Sequence, residues 1–373
     1  MATTQKLRPA IKFGPGYFIK EQMEYRSWTQ EELAEVMGMT IKHINQILKD
    51  KQSITLDTAK VLAEVFDTSP QYWINLDSNY RLWLNSVPSE KEKQAELKAN
   101  IYERMPVRDM IAKSWIPTFS NVHELCENIL EFWNLKKLDF EEWDKQITPL
   151  LAKKSESFNQ YKASYTYTWY RKAMMVATTY SVPEFDKKRL DELYNDLHNY
   201  TVRENGINLF LEKLNQSGVI FFVLPHLQKT YLDGAAFYYQ NNPVIVYTAR
   251  YKRIDNFWFT IAHEIAHILH HLDEKNTFFL DNFSDEEVND LENEANQLAG
   301  EKLKHQEISA YLKPKLNYLS KQDIINCANE LQIHPSIIIG KLAHNKTISF
   351  ANQRLFSEEV LPLIDTKYRA NNG

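Results

Sequence analysis

Two histidines four residues apart sit inside an apolar segment, DNFWFTIAHEIAHILHH, and constrain this chain more than any other feature. Residues i and i+4 share one helix face, so His263 and His267 project side by side. Their neighbours Phe259, Ile261, Ala262, Ile265, Ala266, Ile268 and Leu269 are apolar, which predicts a buried helix with Asp255 as its N-cap. Buried imidazoles need hydrogen-bond partners or a metal. Glu264 completes H-E-x-x-H, a spacing that lets two imidazoles hold one zinc ion while the acid serves as general base. Zinc polarises a scissile carbonyl and lowers the pKa of a water to about 7, so that Glu264 can take its proton. Zn2+ is therefore the expected cofactor. The bland alternative is two histidines paired with carboxylates in a metal-free core.

The third ligand must come from elsewhere, and two arrangements compete. A ligand six residues past His267 would be Asp273, but His270 occupies the place where a sharp turn needs glycine. The segment SDEEVNDLENEANQLAG instead predicts a following helix, with Ser284 and Glu287 as a capping box. Leu291, Ala295, Leu298 and Ala299 form its buried stripe; Glu294 borders that stripe, and Glu292 is the nearby alternative. His270 and His271 read as supporting or surface residues rather than ligands. Before the motif, residues 218–224, 234–239 and 244–248 read as strands.

The N-terminal part punctuates itself as short helices. Thr29-Gln30-Glu31-Glu32 is a capping box. Gly38 suits a left-handed helix stop. Thr40 caps Ile41–Leu48, and a further helix starts near Thr55 with Ala59, Leu62, Ala63 and Phe66 on one face. Two short helices joined at Gly38 make a helix-turn-helix. Ile44, Ile47 and Leu48 face inward; Gln30, Ile41, Lys42, His43, Asn45, Gln46 and Lys49 are the expected DNA-contacting set. Asn and Gln can pair bidentately with adenine, and Lys with guanine or phosphate. A solvated polar face on a plain helical bundle is the competing reading.

Composition sets the frame around these motifs. The 373 residues suit two or three domains, and a net charge of −5 excludes a chain that coats nucleic acid along its whole length, not one with a single basic module. Only 9 glycines argue against phosphate-cradling loops. Cys126 and Cys327 form no framework and no CxxC, which fits a reducing cytoplasm. No signal peptide or membrane span is expected from the apolar runs.

Between the motifs, Leu125, Ile129, Leu130, Phe132 and Trp133 recur at helical spacing. The cluster Tyr165, Tyr167, Trp169 and Tyr170 reads as core rather than as a base-stacking platform. Residues 186–203 read as one helix. Ser320 caps another, and IIIGKLAH forms the last, packed on the body; the chain from about Thr366 is expected to fray.

Two stretches resemble known families. Residues 14–86, with PG, the Q-x-x-L-A helix, G-x-T, SIT-x-x-TA-x-x-L and SP-x-x-W, closely resemble the HigA-type antitoxin, Xre-like helix-turn-helix family. Lys49-Asp50 stands where that family has Asn-Gly, a change Asp tolerates because it can adopt the left-handed conformation. Residues 165–345, with DGAAFYY, NPVIVYT, DNFWFTIAHEIAH and E-x-E-A-N, look like the ImmA/IrrE-type zinc metallopeptidase family. That resemblance implies His263, His267 and Glu294 as zinc ligands and Glu264 as general base. Ala266 replaces the family's glycine, and alanine is the better helix former. NPVIVYT resembles the family's edge strand, which could bind an extended substrate by β-addition. Tyr247, His334 and His344 are candidates for oxyanion stabilisation. The two final helices resemble the ending of proteins that join a HigA-like head to such a peptidase.

The expected fold is mainly α with a small β-sheet (α+β): an N-terminal helix-turn-helix bundle plus a zincin-like metallopeptidase domain. The expected domains are 1–86 for the DNA-binding head, 87–205 for a helical middle region, 206–318 for the peptidase core and 319–373 for C-terminal helices. The expected function is that of a cytoplasmic DNA-binding regulator that cleaves a repressor-like protein. It would bind operator DNA as a homodimer on a palindrome, with no membrane partner. The alternative is an antitoxin and autorepressor whose peptidase-like domain binds a toxin or signal without cutting. A third reading is a silent peptidase fold used as a dimerisation scaffold.

Overall fold

The computed structural model describes residues 12–85, 87–145, 160–228, 230, 232–272, 278–280, 290–348 and 358–370. The chain divides into two compact units, Met1–Glu96 and Leu97–Gly373.

The first unit is a bundle of five helices: α1 (Pro15–Arg26), α2 (Gln30–Met37), α3 (Ile41–Leu48), α4 (Leu56–Phe66) and α5 (Pro70–Leu84). Local chemistry places each boundary. The Thr29 hydroxyl accepts from the Glu32 N–H at 3.2 Å, and the Thr29 N–H donates to Glu32 Oε2 at 2.6 Å, closing the expected capping box. Gly38 ends α2 at φ +63°, a conformation that costs glycine nothing. The Thr40 and Thr55 hydroxyls cap α3 and α4. Ile19, Leu33, Ile44, Leu62 and Trp73 are sealed in one core. Asp50 adopts φ +55° after α3, as expected, and its carboxylate also accepts from the Gly16 N–H at 2.8 Å. Asp50 therefore caps the start of α1 as well as closing the turn after α3.

The second unit is built on a four-stranded sheet: β1 (Ile220–Val223), β2 (Gly234–Tyr239), β3 (Asn242–Tyr247) and β4 (Phe278–Leu280), in the order β1-β3-β2-β4. β3 runs parallel to β1 and antiparallel to β2, and β2 is antiparallel to β4. NPVIVYT is thus an inner strand, not the expected edge strand. Its N–H and C=O groups are taken by β1 and β2, so no extended peptide can add to it.

Alternation along the strands splits the core between two faces. Phe221, Val223, Ala236, Ile245 and Tyr247 pack towards the helix Ile254–Ala266. Ile220, Phe222, Phe237, Val244 and Val246 pack towards helices drawn from residues 97–177. The aromatic cluster belongs to this second core: Trp133 stacks on Tyr167 at 5.0 Å, and Tyr170 meets Phe237 edge-on at 5.0 Å. It fills space, as the residue pattern suggested.

Two expectations are corrected. Residues 186–203 form two helices, Lys187–Asn195 and Leu197–Thr201, because Asp196 leaves helical geometry at ψ 2°. The C-terminal stretch does not fray at Thr366. Tyr368 is buried against Phe221 at 5.7 Å, and the Ala370 N–H donates to the Val223 carbonyl at 3.0 Å. Among the described residues, no helix is long and apolar enough to cross a membrane.

Candidate functional site

The H-E-x-x-H sequence lies at the end of the helix Ile254–Ala266. Asp255 is not its N-cap: Arg253 holds that position, and its guanidinium grips Asp255 by two bonds of 2.9 and 3.1 Å. The helix widens into a π turn over His267–His271, closed by the Leu272 N–H donating to the His267 carbonyl at 2.8 Å. Such bulges often mark functional positions. His263, Glu264 and His267 are sealed from solvent.

His263 Nε2 and His267 Nε2 lie 2.9 Å apart. Glu292 reaches both: its Oε2 is 3.2 Å from His263 Nε2, and its Oε1 is 3.6 Å from His267 Nε2. These three side chains each present a ligand atom within 4.8 Å of the others. Ligands about 2.0–2.2 Å from a tetrahedral zinc are separated by about 3.3 Å, so two nitrogens and a carboxylate at these spacings fit the ion. The protonation states fit too. Burial pushes Glu292 up, but its hydrogen bonds with His263 and His267 outweigh this and hold it below the usual carboxylate range. Burial keeps His267 below the ordinary imidazole range against the pull of Glu292. An ionised carboxylate beside a neutral imidazole is what a divalent cation requires.

Glu294, the expected third ligand, is elsewhere. It is exposed and meets His271 Nε2 at 3.4 Å. The reason is helical phase. Along Asp290–Lys302, Glu292 lies three residues before Ala295 and seven before Ala299, two of its three buried positions. That i, i+3, i+7 stripe faces the motif helix, whereas a position two residues on from Glu292 is turned about 200° away. Glu292, the nearby alternative, is the carboxylate that lies beside the two histidines.

Further residues orient the pair. His263 Nδ1 lies 3.1 Å from Asn296 Oδ1, so the ring donates there and keeps its Nε2 lone pair for the opposite side. His271 Nδ1 lies 3.0 Å from His267 Nδ1, which makes a chain from Glu294 through His271 to His267. His270 is exposed. Glu264 sits against β2, where a Cβ on Gly234 would fall 2.5 Å from its Oε1.

The oxyanion candidates have other partners. The Tyr247 hydroxyl donates to the Tyr251 carbonyl at 2.8 Å, and His334 Nδ1 accepts from the Ser336 N–H to start the helix Pro335–His344. His344 lines a cavity on that helix. Asp273, Ser284 and Glu287 lie outside the described residues.

In the first unit, α3 buries Ile44, Ile47 and Leu48 and leaves Ile41, Lys42, Gln46 and Lys49 exposed, with His43 and Asn45 half-buried. Asn45 Nδ2 donates to Gln30 Oε1 at 3.0 Å, joining the first residue of α2 to α3. That bond ties the polar side of α3 to the start of α2.

Comparison with known proteins follows this division. Residues 19–73 match the helix-turn-helix family model. The chain is 30% identical over 88 residues to virulence-associated protein I of Dichelobacter nodosus, covering 23% of this chain and 76% of that protein. The chain belongs to the helix-turn-helix family. Within that family it is also similar to an uncharacterized HTH-type transcriptional regulator of Haemophilus influenzae, 34% identical over 64 residues, 17% of this chain and 60% of the other. A third similar protein is the uncharacterized HTH-type transcriptional regulator YbaQ of Escherichia coli K12, 32% identical over 66 residues, 18% of this chain and 57% of the other. The chain therefore spans little more than half the length of those two regulators. Residues 203–339 match the IrrE N-terminal-like domain.

Both site helices, Ile254–Ala266 and Asp290–Lys302, fall inside the IrrE-like match. This chain is a helix-turn-helix protein with a peptidase-like body. In that body Asn296 was missed from sequence, although it lies in the Glu292–Ala295–Ala299 stripe and could have been found there.

Proposed function

We propose that the chain is a DNA-binding transcriptional regulator whose IrrE-like domain is a zinc-dependent endopeptidase. The observation that carries this reading is the convergence of His263, His267 and Glu292, with Glu264 alongside; both histidines and Glu264 are buried, and Glu292 is partly exposed. His263, His267 and Glu292 would hold the ion. Zinc bound there supplies polarisation of the scissile carbonyl and of a water.

The chain's own residues do the rest. Asn296 and His271 fix the ring orientations. Glu264 takes the proton of the attacking water and delivers it to the leaving nitrogen. Burial of the site keeps these charges in a low-dielectric setting, where their interactions are stronger. The substrate is a repressor-like protein, and the setting is the cytoplasm.

The proposed division of labour gives 1–86 to operator DNA, bound as a homodimer on a palindrome. Residues 87–205 form a helical region, 206–318 carry the peptidase core and 319–373 pack as C-terminal helices. Gln30, Ile41, Lys42, His43, Asn45, Gln46 and Lys49 form the proposed DNA face. The family match of residues 19–73 and the exposed polar side of α3 support it.

The test is to incubate wild-type and Glu264→Gln protein with zinc and map cleavage, within the chain up to residue 205 and in a candidate repressor. Site-specific cutting by wild type alone is expected. Cutting retained by Glu264→Gln would remove Glu264 as base. A zinc-loaded chain that cuts neither would favour the non-cutting reading, in which the domain binds a toxin or signal.

A further inference from the structure

His263 has two sides. Its Nε2 faces His267 and Glu292, while its Nδ1 faces Asn296. Asn296 also lines a cavity of about 410 Å3 on that far side, between the motif helix and Pro335–His344. Small-molecule sites run from about 300 to 1,000 Å3 and combine an apolar wall with a few convergent polar groups. This cavity has that make-up, and the peptidase reading makes no use of it.

Its wall is flat and apolar on one side. Phe259, Leu303 and Ile337 contribute carbon surface. His305 lies parallel to Phe259, with centroids 5.9 Å apart and planes at 5°. Burial, with Lys341 and His344 nearby, holds His305 down to about 3, so it stands there as a neutral ring.

Its charge is positive. Among the described residues the only acid lining the cavity is Asp255, and it is spent on the two bonds from Arg253. Asp255 also nests against Gly340, where a Cβ would fall 2.4 Å from its Oδ2. Lys341 and His344 line the same space, and neither forms an ion pair among the described residues. A lysine that makes no ion pair among the described residues, beside an apolar shelf, favours an anion that carries its own flat body.

We propose that this cavity binds a small organic acid with a flat apolar body, its carboxylate at Lys341 and its body against Phe259, Leu303 and Ile337. The proposal does not depend on zinc, and its test uses protein without added metal.

The probe is 2-naphthoate, titrated calorimetrically into the full chain, with 2-naphthamide as the uncharged analogue of the same shape. Saturable binding at one site per chain is expected, with naphthamide at least tenfold weaker. Lys341→Glu should weaken naphthoate at least tenfold and Lys341→Gln by less, both leaving naphthamide within threefold of wild type. The Gln variant keeps the test valid should the Glu variant fail to fold. Absence of saturable naphthoate binding would overturn the proposal. So would equal binding of the two probes, or affinity unchanged in both Lys341 variants. Zinc uptake measured on the same preparations reports on the peptidase reading separately.

Discussion

Gly234 and Glu264 touch across the seam between β2 and the motif helix: a Cβ on Gly234 would lie 2.5 Å from Glu264 Oε1 and 2.6 Å from Thr260 Cγ2. Glycine at this point of the strand lets the helix carry its proposed general base directly against the sheet. Gly234→Ala should therefore destabilise the fold by about 1–3 kcal/mol, the usual cost of overpacking. Part of that cost belongs to the carboxylate. Glu264→Ala should relieve it, giving a coupling of about 1 kcal/mol in a double-mutant cycle read from denaturant unfolding. Additive effects would contradict the contact.

The two glutamates of the acidic helix should separate in zinc affinity. Glu292→Gln removes a ligand, whereas Glu294→Gln weakens only the chain through His271, an outer-sphere change of the kind worth about 10–100-fold. Competition against a chromophoric chelator should rank the loss as Glu292→Gln greater than Glu294→Gln. The reverse order would restore Glu294 as the ligand.

How much of this was readable beforehand depends on distance along the chain. The Thr29–Glu32 capping box, the Gly38 turn and the paired histidines are written within a few residues, where helix geometry alone decides. Glu292 was also readable. Its phase with Ala295 and Ala299 is a local property, whereas Glu294 lies beside that stripe and not within it. Strand order was another matter. β3 is an inner strand because β1 and β2 both pair with it, and nothing in NPVIVYT distinguishes an inner from an edge strand. The docking of Tyr368 on Phe221 joins residues far apart in sequence, so its anchoring was equally hidden.

On DNA, the exposed face of α3 should split into two behaviours. Lys42→Ala should weaken binding to all sequences alike and reduce the salt slope by about 0.9, the loss of one phosphate contact. Gln46→Ala should cost about 1–3 kcal/mol of discrimination at one base pair and little of the non-specific binding. Fluorescence anisotropy over a salt series, on a fragment selected from genomic DNA, separates the two. Identical behaviour of both variants would contradict the assignment.

His305 should make the fold sensitive to acid. Its ordinary value of 6.5 is held down to about 3 in the folded chain, by burial first and by Lys341 and His344 next. Between those values the unfolded chain binds a proton that the folded chain does not, so stability rises with pH. Its contribution is complete above about pH 6.5 and is lost as pH falls through about 3. His305→Phe should flatten the thermal midpoint against pH across that window, relative to wild type. Unchanged slopes would show that His305 titrates normally in the folded chain.

The central claim is one zinc ion held by His263, His267 and Glu292. The direct measurement is elemental zinc content of the full chain after equilibration with zinc and exhaustive dialysis. The account predicts one zinc per wild-type chain, lost in His263→Ala/His267→Ala and in Glu292→Ala while Glu264→Gln retains it. A wild-type chain without zinc, or zinc retained by the double histidine variant, would contradict it.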